Sequence, residues 1–337
     1  MNKRLLKTAA VLTPLLVLSL GLAACGDGGG GSSASYPSRS LTLVAPSGAG
    51  GGWDMTARTI SKVLTESKAV TKAITVENKP GGGGAVFMAE YATKDKKDDY
   101  KLFVNSPPIL INNLKKEGNS PYGYADTTPL AQLTKDYGAI AVAADSKYGD
   151  LKTLLDDIKK DPTAFTVAGG SAPGSMDHLV SILPAYKYGI DPKTIKYVSY
   201  DGGGEALTAL LGGNADVLGT DASSLDQYVK SGKIKVLAVA APERLDNLKD
   251  VPTMKEQGID AEFLIWRGIF GPKEMSEGAK AFWDEALAKM KDSPEWAAEM
   301  KANNWQTDYR NSDDFKTFLE DQNKQLHDML AALGMQK

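Results

Sequence analysis

The stretch Ala45–Arg58, APSGAGGGWDMTAR, places Gly48, Gly50, Gly51 and Gly52 between an apolar run and a pattern with apolar residues at helical spacing. SLTLVAPS before it reads as a strand, and Met55–Ser67 after it as a helix. Glycines at a strand-to-helix handover let backbone N–H groups converge beside the positive end of a helix. Such a loop suits an anion, and its plainer reading is a tight turn with no ligand.

Outward from this loop the same pattern recurs. AITVEN reads as a strand, GGGGAVFMAEYATK opens a helix on glycines, and YKLFVNSP reads as a third strand. A second set follows GAIAVAADS: helix 151–160, strand AFTVAGG, helix 176–188, strand IKYVSY, helix 204–211, strand ADVLGTD, helix 223–231 and strand KIKVLAVAA. A return then runs through EFLIWRGIF, two helices bracketing Pro294, a strand near WQTDYR and a long helix over 312–333. Strands alternating with helices predict an α/β fold built on mainly parallel sheets, in two sets. The extended segments near Ala139–Ala143 and Val236–Ala240 are where the chain can cross between lobes, as a two-stranded hinge.

The N-terminus carries a different signal. Lys3, Arg4 and Lys7 precede the apolar AAVLTPLLVLSLGLA, which ends in LAAC at Cys25. A basic start, a short apolar run and a small-residue cleavage site make a secretory signal over 1–24. The terminal cysteine resembles the lipobox of bacterial lipoproteins, which predicts lipidation of Cys25. GDGGGGSSAS follows, so 25–35 reads as a lipidated cysteine on a flexible tether. Lobe 1 is expected over 36–138, lobe 2 over 139–240 and a return to lobe 1 over 241–337. Cys25 is the single cysteine of the 337 residues, so no disulfide and no thiolate metal cluster is expected. No dense basic run or zinc-finger spacing appears, which argues against nucleic acid, and no metal or cofactor is expected.

The glycine loop fails as a nucleotide site in its details. A phosphate loop needs lysine and then serine or threonine after its last glycine, where this chain has Trp53 and Asp54. The dinucleotide fingerprint read from Gly48 requires a third glycine at the position of Trp53. Carboxylates are satisfied by the same arrangement of amides. Further loops after strand-like runs, namely NSPPI, GGSAPGSMDH, DGGGEAL and TDASSL, would gather at the carboxyl ends of the strands, where open α/β sheets bind ligands.

Taken together these residues resemble the substrate-binding receptors of tripartite tricarboxylate transporters, the TctC or Bug family. LVAPSGAGGGWDMTAR is similar to the family's opening loop, and ITVENKPGGGG to its strand ending in V-E-N-(R/K)-P-G-(A/G)-G. LTALLGGNADV is similar to its L-L-G-G-x-x-D segment, and KIKVLAVAAPERLDNLKDVPTMKEQGID to its hinge strand with D-V-P-T-x-x-E-x-G. The resemblance covers nearly all of the chain beyond the tether. It implies a two-lobed periplasmic-binding-protein fold of the second type, whose lobes close on a small di- or tricarboxylate and pass it to a membrane permease. It further implies a site formed by Ser47, Gly50, Gly51, Gly52, Trp53 and Asp54, by Asn105 and Ser106, and from the opposing lobe by Gly174, Ser175 and Asp221. The family often has threonine where Trp53 stands, a phenylalanine near Ser47 and a shorter loop before Ser175. These departures bear on the ligand rather than on the fold.

His178 and His327 are the only histidines, and no G-x-S-x-G elbow accompanies Ser175. His178 therefore reads as a packing or loop-orienting residue, and a receptor is favoured over a hydrolase. A carboxylate sensor would share the same cleft. Asp54 reads as a helix cap or loop brace. Trp53 reads either as a lid or as packing beneath its helix. Arg267 interrupts an apolar strand and needs an acidic partner, either internal or a second ligand carboxylate.

Overall fold

The computed structural model describes residues 36–118 and 120–337. The secretory signal, Cys25 and the tether lie outside the described residues.

The chain forms a mixed ten-stranded sheet flanked by helices, with the strand path β2-β1-β3-β9-β4-β7-β5-β6. At one end β1 (Leu41–Ala45) pairs in parallel with β2 (Ile74–Asn78) and β3 (Lys101–Asn105). At the other, β5 (Thr166–Gly169) pairs in parallel with β6 (Lys196–Ser199) and β7 (Val217–Asp221). The parallel trios are the βαβ units read from the sequence. The middle of the path is antiparallel: β9 (Leu264–Pro272) runs between β3 and β4 (Thr127–Ala143).

Strand β4 joins the two halves. Its first part, Thr127–Tyr137, pairs with β9. Its last part pairs with β7 from Gly138 and with β8 (Ile234–Val239) from Ala139. At the changeover Gly138 donates to Phe263 O (3.1 Å) and accepts from the Ala240 amide (2.7 Å), so both chain crossings meet at one residue. A side chain there would press on Val180, which explains the glycine. Strand β10 (Gln306–Arg310) adds to the outer part of β4.

The helices follow from local sequence. Helix α1 (Gly52–Glu66) buries Ala57, Ile60, Val63 and Leu64 along one face, against β1 and β3. Helix α2 (Ala85–Lys94) follows the second glycine run, and α3 (Pro108–Leu114) follows β3. Helix α4 (Leu151–Lys160) begins where the Asp150 carboxylate accepts from the Thr153 amide (2.7 Å) and ends with Lys159 and Lys160. An acceptor at the start and cations at the end satisfy the free backbone groups and the dipole. Helices α5 (Met176–Lys187), α6 (Gly203–Leu211) and α7 (Asp226–Lys230) complete the second half. Helices α8 (Glu277–Lys291), α9 (Pro294–Ala302) and α10 (Ser312–Ala332) cover the first. Residues Ala241, Leu245, Leu248 and Val251 pack with Leu207 and Leu218 of the second half before the chain returns along β9. Among the described residues no helix is long and apolar enough to cross a membrane.

Candidate functional site

The starts of α1, α5 and α6 meet at one small cavity of about 60 Å3, which Pro108 at the start of α3 also lines. Gly51, Gly52 and Trp53 bring the start of α1 to it, Met176 and Asp177 the start of α5, and Gly202 and Gly203 the start of α6. First-turn amides have no acceptor within their own helix, and each helix start carries partial positive charge. Arg267 from β9 and Asp221 from the end of β7 complete the wall.

Contacts between the two halves lie around the cavity. The Gly48 amide donates to Asp201 O (3.3 Å). Arg267 lies 3.5 Å from Asp221, with both side chains almost fully buried. Lys115 Nζ donates to Pro173 O (2.9 Å). A second chamber of about 580 Å3, more apolar, lies beside Lys115, Pro173 and Gly174. Between the two, Gly83 approaches the backbone of Ala172 closely enough that a side chain at 83 would crowd it.

Ser47, Gly51, Gly52, Trp53, Asp221 and Arg267 thus line one cavity. Gly52 has no room for a side chain, since a methyl group would collide with the Arg267 guanidinium. Trp53 is buried, and its indole N–H donates to Ser106 Oγ (2.9 Å). The ring is therefore part of the packed wall, held from β3, and Ser106 in turn faces Met176 Sδ at 3.9 Å. Asn105 receives the Ser106 amide on its own Oδ1 (2.8 Å), which fixes the turn after β3.

Gly50 and Asp54 stand behind the loop. Asp54 accepts from the Gly50 amide (2.9 Å), Asn78 Nδ2 (2.9 Å) and Arg58 Nε (3.0 Å). Burial alone would raise this carboxyl, but the hydrogen bonds from Arg58, Gly50 and Asn78 overcome it and hold the group below its ordinary range. Asp54 is a loop brace, and Gly50 folds over it with φ of 79°.

Gly174 and Ser175 sit elsewhere in the second half. Gly174, at φ 75°, lies against the larger chamber, and its amide donates to His178 Nδ1 (2.8 Å). His178 orients this turn and packs against Tyr197, with ring centroids 4.4 Å apart. Burial, with Lys115 nearby, pushes the imidazole down to about 4. Ser175 starts α5 fully buried, with no hydrogen-bond partner for its Oγ.

The residues of this loop that do line the cavity are Gly170, Ser171, Met176 and Asp177, joined from the next loop by Tyr200 and Asp201. GGSAPGSMDH and DGGGEAL mark both loops in the sequence, but two serines and an aspartate compete within the first. Ser171 and Asp177 line the cavity and Ser175 does not. Two buried acids here are perturbed upward. Burial, reinforced by Asp221, pushes Asp177 up to about 7 and Asp136 up to about 6. Among the described residues no group of three or more histidine, cysteine or acidic side chains is placed to hold a metal.

A two-lobed α/β frame whose helix starts meet at a cavity between the halves is the fold of solute-binding proteins. The family model described as the tripartite tricarboxylate transporter family receptor matches residues 57–335, and the chain belongs to that family. It is similar to protein BugT of Bordetella pertussis, 28% identical over 269 residues that make up 77% of this chain and 78% of BugT. Its fold is shared with the periplasmic binding protein BugD, at a TM-score of 0.80 and 24% identity over 90% of this chain and 100% of that one. It is shared equally with two Rhodopseudomonas palustris proteins at 22% identity. One, solved with adipate, has a TM-score of 0.81 over 89% of this chain and 99% of its own. The other, MatC with bound malate, has a TM-score of 0.79 over 88% of this chain and 100% of its own. The chain is a solute-binding receptor of a transporter system.

Proposed function

We propose that this receptor captures a small di- or tricarboxylate between its lobes and delivers it to the permease subunits of a tripartite tricarboxylate transporter. The observation that carries this reading is the convergence of the starts of α1, α5 and α6 and of Arg267 on one cavity between the halves. Amides at helix starts are preorganised for an anion and lose no side-chain freedom on binding it. Malate and adipate, bound by neighbours of the same fold, are both dicarboxylates. In this reading Ser47, Gly51, Gly52, Trp53, Asp221 and Arg267 face the solute. Gly50, Asp54, Asn105 and Ser106 hold them in place, and Gly174 and Ser175 shape the opposing turn. The protein is anchored by a lipid on Cys25, with the tether after it spanning to the globular body.

The test is thermal shift and calorimetry on mono-, di- and tricarboxylates. A true ligand at a hundredfold excess over its dissociation constant stabilises the fold by about 2.7 kcal/mol. A chain that binds none of the panel, or that converts one of its members chemically, refutes the reading.

A further inference from the structure

Asp177 differs from Asp221 and the exposed Asp201 of the cavity wall in having a buried oxygen with no hydrogen-bond partner. Its Oδ2 accepts from the Gly170 amide at 2.6 Å, and its own amide donates to Ser171 Oγ at 2.8 Å. Its Oδ1 is buried and has no hydrogen-bond partner, on a residue only 3% exposed that lines the cavity beside Arg267 and Asp221.

The charged and titratable groups around it come from every neighbouring element. Arg267 on β9 already lies 3.5 Å from Asp221 at the end of β7. Tyr197 on β6 gives its hydroxyl proton to Ser171 O at 2.8 Å. His178, next along α5, is held neutral and accepts from the Gly174 amide, with Lys115 beyond it bonded to Pro173 O. Asp136 on β4 accepts from the Tyr137 and Ser223 amides (2.7 and 3.1 Å). Asp201, from the loop before α6, is exposed.

One guanidinium thus faces two wall carboxylates, Asp177 and Asp221, before any solute enters. An anionic solute would add a third negative group at close quarters, which is costly where water is excluded. The conflict disappears if one wall carboxylate enters as the neutral acid. Asp177 is the member of the pair whose free oxygen can carry a proton inward, because Oδ2 is committed to Gly170.

We propose that Asp177 is a solute-contacting residue whose Oδ1 carries a proton and donates it as a hydrogen bond to a carboxylate oxygen of the solute. Capture above neutral pH then takes up one proton from the medium: ionised Asp177, a proton and the solute carboxylate become a neutral acid bonded to that carboxylate. No bond within the solute changes. Burial and the neighbouring Asp221 push this carboxyl up to about 7, against the opposing pull of the Gly170 amide and Arg267, so the proton is available near neutrality. The inference rests on the carboxylate reading of the cleft.

The experiment is calorimetry with malate and with adipate, in pairs of buffers of different ionisation enthalpy, from about pH 6.5 to about pH 8.5. The expected result is a buffer-dependent heat at the alkaline end corresponding to about one proton taken up per solute. Affinity should fall by about tenfold for each pH unit above about 7. Asp177→Asn keeps an acceptor for the Gly170 amide and a donor on the other atom. It should bind with affinity that is flat across this range and with no proton uptake, whereas Asp177→Leu should lose binding. Wild-type binding with buffer-independent heat and flat affinity would overturn the proposal. So would loss of affinity in a folded Asp177→Asn, which would mean that the charged carboxylate is needed, as for a solute ammonium group. If Asp177→Asn does not fold, the wild-type proton count decides alone. Absence of heat with both acids and with the rest of the carboxylate panel defeats the carboxylate reading itself, a result distinct from binding without a proton.

Discussion

Arg267 on β9 and Asp221 at the end of β7 meet at 3.5 Å across the line between the two lobes, and both line the cavity. An arginine in the apolar strand EFLIWRGIF finds its acidic partner within the protein, and the pair lies where a solute would sit.

Removing one member should cost more than removing both. Arg267→Gln leaves Asp221 buried without its cation, and breaking a buried pair in this way is destabilising by about 3 kcal/mol. Arg267→Gln combined with Asp221→Asn should recover most of that loss in urea titration. If the double variant is no more stable than the single one, the pair is not what holds these two side chains.

Gly52→Ala tests the closeness of α1 to that guanidinium. Alanine in place of glycine normally favours a helix by about 1 kcal/mol. Here the methyl group would collide with Arg267 and push it off Asp221. The expected outcome is binding of the preferred carboxylate weakened by about tenfold, or about 1.4 kcal/mol, with no gain in thermal stability. Gly278→Ala in α8, where a methyl group meets nothing within 4 Å, should instead be neutral or stabilising. Identical behaviour of the two variants would count against a filled space at Gly52.

The buried acids set a pH dependence of the empty protein. A carboxyl raised in the fold binds more protons folded than unfolded between its ordinary value and its raised one. Its contribution is present at low pH and is lost as pH rises through that window. For Asp177 the window runs from 3.8 to about 7, and for Asp136 from 3.8 to about 6. His178 acts in the opposite sense between about 4 and 6.5, because its folded value is lowered. The slope above about pH 6.5 therefore belongs to Asp177. Stability by chemical denaturation should fall from about pH 6.5 to about pH 7 in the wild type and level off above it, and stay level throughout in Asp177→Asn. Parallel curves for the two proteins would contradict the assignment.

Anchoring is tested at Cys25. Cys25→Ala should abolish labelling by a fatty-acid analogue and release the globular body from the membrane fraction. Retention of the variant in that fraction would leave the LAAC sequence without this role.

Much of the frame was legible because the local signals agree. Helix α4 spans the predicted 151–160, since its cap, its apolar face and its terminal lysines all point one way. The seventeen-residue β4 was legible only in its apolar end. Within Thr127–Tyr137, Gln132, Thr134 and Asp136 fall at every second position and are polar yet buried, so no apolar face announces the strand. Two of these bond to partners distant in sequence: Gln132 Nε2 donates to Asp308 (2.7 Å) and Asp136 accepts from the Ser223 amide (3.1 Å). Helix α3 was missed as well. PPILINNL is buried almost all round, and a helix wrapped in core shows no period. At the site, the loops were visible as glycine runs, but which side chain faces inward was not. Ser171 and Asp177 line the cavity and Ser175 does not, and that choice lies in backbone angles.

Gly138 is placed to act as a single pivot. One residue bonds at once to Phe263 and Ala240, so a hinge at this place would couple the outgoing and returning chains. Opening would then be a motion with essentially one coordinate, like a door on one pin. A membrane partner gripping both lobes would need to sense only that angle to know whether the receptor arrives loaded, whichever solute it carries.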